Sequence, residues 1–497
     1  MSNQVIEKRL NGYRIRAQRF NRRRFNLTAP QSYHANDTSA YVPEMWANEA
    51  VQILYESMKF GATVHRDFDE EIGTFGETVH TRKNAEFVGK RKQNDLDDLE
   101  DQDAVASTID VVLNQRVYVS FLLGDRERTV SFKNLVETFL VEAIQAQGRV
   151  LDRVIGCQAY QFLGNVAGGL GQLTKNTSHD YLLDMREVFN ENKVPEMNRW
   201  LALCAKSETN MQKTDLFKSA ERIGDAGQAL RNAYLGQVAG WDTFLELNTP
   251  SVRNATVDTS VTGTVSGAQE AGTTSFDLSA ATGLITGQYI VVAGDYTPLR
   301  VTNISTNTLT LNRGLRYNVA ASAAVTAYET ALVNQASAIA AGDKNPAVSN
   351  GYPIHWQKEI VYDGTGTPKQ GQLVSFKTSG GTVLSQEYGI VQVNTTAKTI
   401  LLDRPLEASI DDNAIICLGP SGDYNLAYQR NAIALVNRPL VLPPENAGAR
   451  AANGYANNMA LRAAISWDGK KEATRVTISA LFGVAVLDSA RGGVLLG

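Results

Sequence analysis

A long central stretch without helical periodicity, residues 251–422, most constrains what this chain can fold into. Thr, Ser, Gly, Val and Ala dominate it, and short apolar runs alternate with turn residues. This pattern is typical of short antiparallel strands. Amphipathic helical patterns precede the stretch, and apolar strand patterns follow it. We therefore predict an α+β fold with a β-rich central region.

The central stretch contains a weak internal repeat. The 18 residues from Thr308 align without gaps with those from Thr399, at an offset of 91 and with five identities. Upstream, GQYIVV from Gly287 matches GQLVSF from Gly371 at an offset of 84. Two small antiparallel β-modules in tandem would explain the repeat, and so would chance similarity between β-rich sequences.

The clearest helical pattern begins near Ser131, where apolar residues recur at steps of three and four. It continues for roughly 30 residues, or about 45 Å at about 1.5 Å per residue. This length predicts a spine helix that crosses a whole domain. The glycine cluster VAGGLGQ at 166–172 then breaks the pattern. It lacks the Lys-Ser/Thr of a phosphate-binding loop, so we interpret it as a flexible turn.

The segments on either side of the β-rich region predict a compact core. Before it, helices at 179–191 and 214–235 alternate with apolar strands at 199–205 and in GQVAGWDTFLELNTP, which Pro250 ends. After it, YNLAYQRNAIALVNRPLVLPP predicts one apolar strand that is stopped by prolines. Further strands surround the turn Asp468-Gly469, and the C-terminus is expected to return to the core.

Residues 76–123 have the pattern of a long hairpin with a charged tip. TVHTRKNAEFVGK alternates polar and apolar residues, and STIDVVLNQRVYVSFLL is rich in β-branched ones. The tip is either a solvated loop or a contact that orients symmetric neighbours through alternating charge. Its acidic residues lack the spacing of a calcium-binding loop, so no metal site is predicted. The candidate interface residues are Lys90, Arg91, Lys92, Asp97, Asp98, Glu100 and Asp101.

The first 25 residues form a basic arm. Its candidate contact residues are Arg19, Arg22, Arg23 and Arg24. Arginine-rich segments bind phosphates without sequence preference, so the arm could contact nucleic acid, an acidic protein or a neighbouring subunit. A solvated terminal tail is the alternative.

Composition and motif searches argue against several classes of protein. The 48 basic and 52 acidic residues leave a net charge of -4, so bulk charge predicts neither nucleic-acid nor membrane binding. Cys157, Cys204 and Cys417 have apolar neighbours in the sequence and are expected to be reduced core residues. No secretory signal or long apolar span occurs, and the five histidines are isolated. We therefore predict no catalytic, cofactor-binding or metal-binding residue, and no enzyme.

In chain order, several segments resemble the major capsid proteins of tailed bacteriophages with the Hong Kong 97-type fold. The stretch at 41–83, YVPEMWANEAVQILYESMKFGATVHRDFDEEIGTFGETVHTRK, is similar to the helix that leads into their extended loop. VPEMNRWLALC, LAYQRNAIALVNRPLVLPP and SWDGKKEATRVTISALFGVAVLD resemble later segments. More narrowly, the chain resembles short-tailed-phage coat proteins that carry a β-barrel insertion domain.

The resemblance implies a set of domains. They are an N-terminal arm and the helix that follows it (1–58), the extended loop (59–125), the spine helix of the peripheral domain (126–164), the first part of the axial domain (165–250), an inserted β-domain (251–345), a second β-module (346–422) and closing strands of both core domains (423–497). The second β-module is assigned either to the insertion or to the axial domain.

The resemblance also implies a structural function. Such a protein self-assembles into the hexamers and pentamers of an icosahedral head shell in the virion, after synthesis in the host cytoplasm. Its implied partners are itself, scaffolding, portal and decoration proteins, and packaged double-stranded DNA bound non-specifically on the inner face; no membrane is implied. The alternative is a β-rich surface adhesin or glycan-binding virion protein.

Overall fold

Strands outnumber helices in the described part of the chain. The computed structural model describes residues 54, 58–66, 78–83, 89–92, 98, 101, 107–124, 135–214, 235–335, 359–444, 449–456 and 459–497. These residues belong to one compact unit, Pro43–Gly497. The basic arm lies outside the described residues, as do most of the helix predicted at 42–60 and the helix predicted at 214–235.

The described elements before the β-rich region include both helices and strands. In chain order they are α1 (Phe60–Thr63), β1 (Thr78–Lys83), β2 (Ser107–Val112), β3 (Gln115–Gly124), α2 (Leu135–Cys157), a 3-10 turn (Gln158–Phe162), β4 (Val166–Ala167), α3 (Ser178–Glu191), β5 (Arg199–Leu203), α4 (Ala205–Gln212), β6 (Gln237–Val238), β7 (Trp241–Leu245) and β8 (Ser251–Val252).

The described elements that follow are strands and short 3-10 turns. They are β9 (Ser275–Asp277), β10 (Tyr289–Val292), β11 (Leu299–Ser305), β12 (Thr308–Leu311), β13 (Val325–Ala327), β14 (Thr330–Val333), β15 (Ile360–Asp363), β16 (Leu373–Lys377), β17 (Tyr388–Asn394), β18 (Thr399–Leu402), β19 (Ile415–Leu418), β20 (Gly422–Gln429), a 3-10 turn (Arg430–Ala432), β21 (Ile433–Arg438), β22 (Ala449–Ala456), β23 (Met459–Asp468), β24 (Ala473–Val486), a 3-10 turn (Ser489–Arg491) and β25 (Gly492–Leu496).

The first core sheet joins strands from both sides of the β-rich region. Its order is β4-β25-β20-β5-β7-β6, and β8 also pairs with β20. All eight residues of β20 are buried, and so are all five of β25, so the C-terminus returns to the core as predicted. Helix α3 covers this sheet, where the rings of Phe189 and Trp241 meet edge to face with centroids 4.7 Å apart.

The second core sheet has the order β21-β24-β23-β22, with β3 along the opposite edge of β24. Helix α2 packs across β3 and β24, and Gln147 on this helix donates its Nε2–H to the Ile478 carbonyl over 2.6 Å. The predicted spine helix is therefore present, and its described α-helical part is 23 residues long before the 3-10 turn begins.

Two predicted strands are divided in the structure. The apolar run after residue 422 was predicted as one strand, but the 3-10 turn Arg430–Ala432 separates β20 in the first sheet from β21 in the second. The Gln429 side chain accepts the Asn431 N–H and stabilises this turn. The return strand of the hairpin ends at Val112, and β3 then pairs with β24 along its whole length. Each run therefore leaves one sheet or hairpin and enters another without a break in its strand-like sequence pattern.

The glycine cluster at 166–172 is a packed turn, which corrects the interpretation as a flexible one. A Cβ on Gly168, whose φ is +76°, would lie 2.9 Å from the Leu496 carbonyl oxygen. A Cβ on Gly169 would lie 2.7 Å from Cβ of Tyr296, and Leu170 donates its N–H to the Tyr296 carbonyl over 2.8 Å. These glycines are needed because neighbouring backbone approaches closely.

The β-rich region forms two small antiparallel units. The first has the strand order β13-β10-β11-β12-β9, and the second is a closed barrel of order β14-β15-β18-β17-β16-β19. Strands β12 and β18, which carry the 91-residue repeat, occupy corresponding places next to β11 and β17. The strand pairing assigns β14 to the second unit, although the sequence placed the division between the modules after residue 345.

Candidate assembly surfaces

The segment 58–66, which precedes the hairpin, is held firmly in the core. Met58, Phe60 and Val64 are buried, and the Phe60 ring packs edge-on against Phe244 at 5.9 Å. Residue 156 of helix α2 is a glycine, and a Cβ there would lie 3.3 Å from the Phe60 ring. These contacts hold the segment 58–66 between helix α2 and the first core sheet.

A buried carboxyl group caps this segment. Asp152 on α2 is fully buried and accepts the backbone N–H groups of Lys59 at 3.3 Å and Gly61 at 3.4 Å. Burial raises the pKa of Asp152 well above its ordinary value, and the nearby Glu246 raises it further. Lys59 donates its Nζ–H to the Leu245 carbonyl over 2.6 Å, which ties the segment to the first core sheet.

The backbone of His65 makes the next attachment. Its N–H donates to the Ile433 carbonyl over 3.0 Å, and its carbonyl accepts the Leu435 N–H over 2.9 Å. These two bonds add residue 65 to the edge of β21. The segment before the hairpin is thus attached to α2 and to both core sheets.

The base of the hairpin packs on the second sheet. Val79, Val111 and Leu113 are buried against a small apolar cluster that includes Ala434 and Val436. Strand β2 crosses β24 at a glycine, since a Cβ on residue 483 would lie 2.3 Å from the Val112 carbonyl oxygen. The hairpin is therefore fixed at its base.

Beyond the base the hairpin carries exposed charged groups. His80 and Asp110, directly opposite one another on β1 and β2, meet with Nδ1 and Oδ1 2.5 Å apart, and both are exposed. Five candidate tip residues are described, and all of them are exposed: Lys90, Arg91, Lys92, Asp98 and Asp101. Asp97 and Glu100 lie outside the described residues, as do Arg19, Arg22, Arg23 and Arg24.

A second exposed feature is a row of side chains on β3. Arg116, Tyr118, Ser120 and Leu122 are exposed and point away from α2, because alternate residues of a strand face opposite sides. Tyr118 is 65% exposed and Leu122 is 39% exposed. The alternation in QRVYVSFLLG is the sequence signal for this row, which the hairpin interpretation missed. Sequence reasoning also missed Asp152. Its signal in the sequence is a single acidic residue on the apolar face of helix α2.

All three cysteines are free thiols that lie buried within the described residues. Burial raises the pKa of all three thiols, and that of Cys417 rises to about 12, so they are protonated core groups. No cluster of potential metal ligands is found among the described side chains. Within the same ranges, no helix has both the length and the apolar character needed to cross a membrane.

The solved structures similar to this chain come from bacteriophages. A structure from Mycobacterium phage Che8 has a TM-score of 0.42 and 11% identity, covering 95% of this chain and 98% of that one. The capsid of cyanophage P-SCSP1u has a TM-score of 0.39 and 8% identity, with coverages of 85% and 84%. The mature capsid of bacteriophage PhiM1 has a TM-score of 0.39 and 6% identity, with coverages of 95% and 90%. Values this low do not align individual residues, so no residue role is taken from these structures. Neither a family model nor a curated protein sequence matches the chain.

Proposed function

We propose that this protein is the major capsid protein of a tailed bacteriophage and that it assembles into the hexamers and pentamers of an icosahedral head. The observation that carries the proposal is the hairpin at 78–112. Its base is buried against the second sheet, whereas every described charged residue of its tip is exposed. The sequence resemblance to Hong Kong 97-type capsid proteins supports the same function.

A fixed base and an exposed tip suit a subunit that reaches over its neighbour. Because the base of the hairpin is buried against the second sheet, the folded core would set the direction of the hairpin. Opposed charge blocks at the tip would then select the orientation of the neighbour more than they would add affinity. Repeated head-to-tail contacts of this kind close into rings.

The basic arm supplies the other proposed contact. Arg19, Arg22, Arg23 and Arg24 would bind a scaffolding protein, a neighbouring subunit or packaged double-stranded DNA, without reading its sequence. Portal and decoration proteins are further proposed partners in the virion. In this function the protein performs no catalysis.

Electron microscopy of the purified full-length protein tests the proposal, with a scaffolding protein co-expressed if needed. We expect hexameric rings or uniform polyhedral shells in negative stain. A monodisperse monomer that binds glycans on an array would instead support the adhesin and would contradict the proposal.

A further inference from the structure

The two β-units repeat one another in detail. Gly287 and Gly371, both with positive φ, lie two residues before the corresponding strands β10 and β16. The next residue in each unit is a buried glutamine: Gln288 donates to the Tyr328 carbonyl and Gln372 to the Gly419 carbonyl, each over 2.8 Å. The hairpins β11-β12 and β17-β18 also share a register shift at the same position, between 301 and 303 and between 390 and 392.

Isolated β-bridges at residues 264 and 265 link the two edges of the first unit, at the places where strand pairs close the second. Thr264 bridges to Ala324, and Val265 bridges to Leu278, next to the two open ends of its sheet. In the barrel, Leu332 and Val333 on β14 pair with Ile415 and Tyr362 at the corresponding positions. We call residues 257–328 the first barrel and residues 329–419 the second barrel.

One face of the first barrel is seated on the second barrel. The Gly287 carbonyl accepts the Ser375 Oγ–H over 3.3 Å. Buried Arg300 donates from Nη1 to the Leu384 carbonyl over 2.7 Å and from Nη2 to the Ser385 carbonyl over 2.9 Å.

A carboxylate of the second barrel completes this junction. Glu387 is almost buried and accepts hydrogen bonds from Tyr289 and Asn312, each over 3.1 Å. It also forms an ion pair with Arg313. All three partners belong to the first barrel: Tyr289 lies in β10, and Asn312 and Arg313 directly follow β12. The Glu387 side chain therefore joins both parts of the first barrel to the second barrel.

The corresponding face of the second barrel is seated on the spine helix and its 3-10 turn. The Gly371 carbonyl, equivalent to that of Gly287, accepts the Tyr160 hydroxyl. Gly389, equivalent to Arg300, packs so closely that a Cβ there would lie 2.7 Å from Sγ of Cys157.

We propose that the two barrels are duplicated copies of one docking unit, which uses the same face twice: the first copy docks on the second, and the second copy docks on the spine helix. The exchange of Arg300 for Gly389 adapts this face to its two partners. In the first barrel, the long Arg300 side chain reaches the Leu384 carbonyl of the second barrel. In the second barrel, Gly389 has no side chain, which lets the spine helix approach the backbone closely. The inference concerns the two barrels alone and is independent of the proposed capsid function.

Each junction contains a native cysteine that can report its opening. A Cβ on Gly287 would lie 3.2 Å from Sγ of Cys417, which places this thiol at the first junction. Cys157 lies at the second junction. Cys204 is buried beside the first core sheet and is an internal reference. Pulse labelling of the native full-length protein with N-ethylmaleimide, followed by peptide mass spectrometry, measures all three rates.

Variants of the first junction should expose only Cys417. Arg300→Ala leaves two carbonyls without their donor, and Glu387→Gln weakens the ion pair with Arg313. We expect each to accelerate labelling of Cys417 by about tenfold and to leave Cys157 and Cys204 unchanged. Asp363→Asn is the control, because Asp363 forms an exposed ion pair with Lys398 within the second barrel and away from this junction.

The variant Gly389→Ala should give the reciprocal result. Its new Cβ forces the second barrel away from the helix, so we expect about tenfold faster labelling of Cys157 with Cys417 unchanged. Equal acceleration of both thiols in either type of variant would show that the barrels are one inseparable body and would overturn the proposal. Unchanged Cys417 labelling in both first-junction variants would also overturn it.

Discussion

At the residue scale, glycines lie at the places where elements of this protein pack most closely on one another. Gly483 lies where β2 crosses β24, Gly156 faces the Phe60 ring, and Gly389 faces the spine helix. At each place a Cβ would fall within 3.3 Å of a neighbouring atom. Because packed interiors have little spare volume, these positions control the alignment of whole elements.

Replacing Gly483 by alanine tests this control. The new Cβ would lie 2.3 Å from the Val112 carbonyl oxygen, so the hairpin base must shift. We expect the free energy of unfolding in urea to fall by about 1–3 kcal/mol. Gly164→Ala is the control, since nothing lies within 4 Å of a Cβ there. Equal stability of the two variants would contradict the crowding argument.

Asp152 should make stability depend on pH. Burial, with Glu246, raises its pKa in the folded protein above the ordinary value of 3.8. Its stabilising contribution is therefore fully present below the unfolded pKa and is lost as pH rises through the folded pKa. We expect Asp152→Asn, measured by urea unfolding from about pH 4 upward, to lose less stability with rising pH than the wild type.

An exposed aspartate provides the comparison for that experiment. Asp411→Asn changes the same chemical group in a solvated position of the second barrel. It should leave the pH profile of the wild type unaltered. A parallel profile for Asp152→Asn would mean that the buried carboxyl group is not the source of the dependence.

At the scale of elements, the sequence patterns correctly predicted several helices, strands and turns that depend on neighbouring residues alone. The helix predicted at 179–191 is α3, the strand predicted from Arg199 is β5, and strands flank the Asp468-Gly469 turn. The divisions at residues 113–114 and 430–432 were missed, because apolarity does not reveal which sheet a strand joins. The close approaches at Gly168 and Gly169 depend on tertiary contacts with Leu496 and Tyr296, which no sequence period encodes.

At this scale, we predict that the charge of the hairpin tip is required for assembly. Replacing Lys90, Arg91 and Lys92 by glutamate reverses the basic block without touching the buried base. We expect an unchanged thermal midpoint for the monomer but no rings in negative stain, because like charges would then face each other between neighbours.

A second exposed turn supplies the control. Lys470 and Lys471, in the turn after β23, are exposed, and replacing both by glutamate should permit assembly. Normal shells from the Lys90, Arg91 and Lys92 variant would remove the tip from the assembly mechanism.

At the scale of the whole molecule, the two barrels connect distant parts of the core. The first barrel meets the glycine turn through Tyr296, and the second meets the spine helix through Gly389. The described candidate assembly residues lie on the hairpin tip and on the outer row of β3. The sequence predicted the tip and the arm from charge alone.

Deleting residues 1–24 tests the arm. The segment lies outside the compact unit that begins at Pro43, so we expect the far-ultraviolet circular dichroism and urea midpoint to be retained. Shell formation with a co-expressed scaffold should be impaired, because eight of the basic residues are lost. Wild-type shells from the truncated chain would count against a role for the arm.

The position of β20 has a consequence for synthesis on the ribosome. This buried strand lies between β5 and β25, yet it is translated only after both barrels. The barrels pair strands close in sequence and can close as they emerge, whereas the edge of β5 that pairs with β20 must wait until the chain is nearly complete. We therefore expect this unpaired strand edge to be open to aggregation during the time between translation of β5 and of β20.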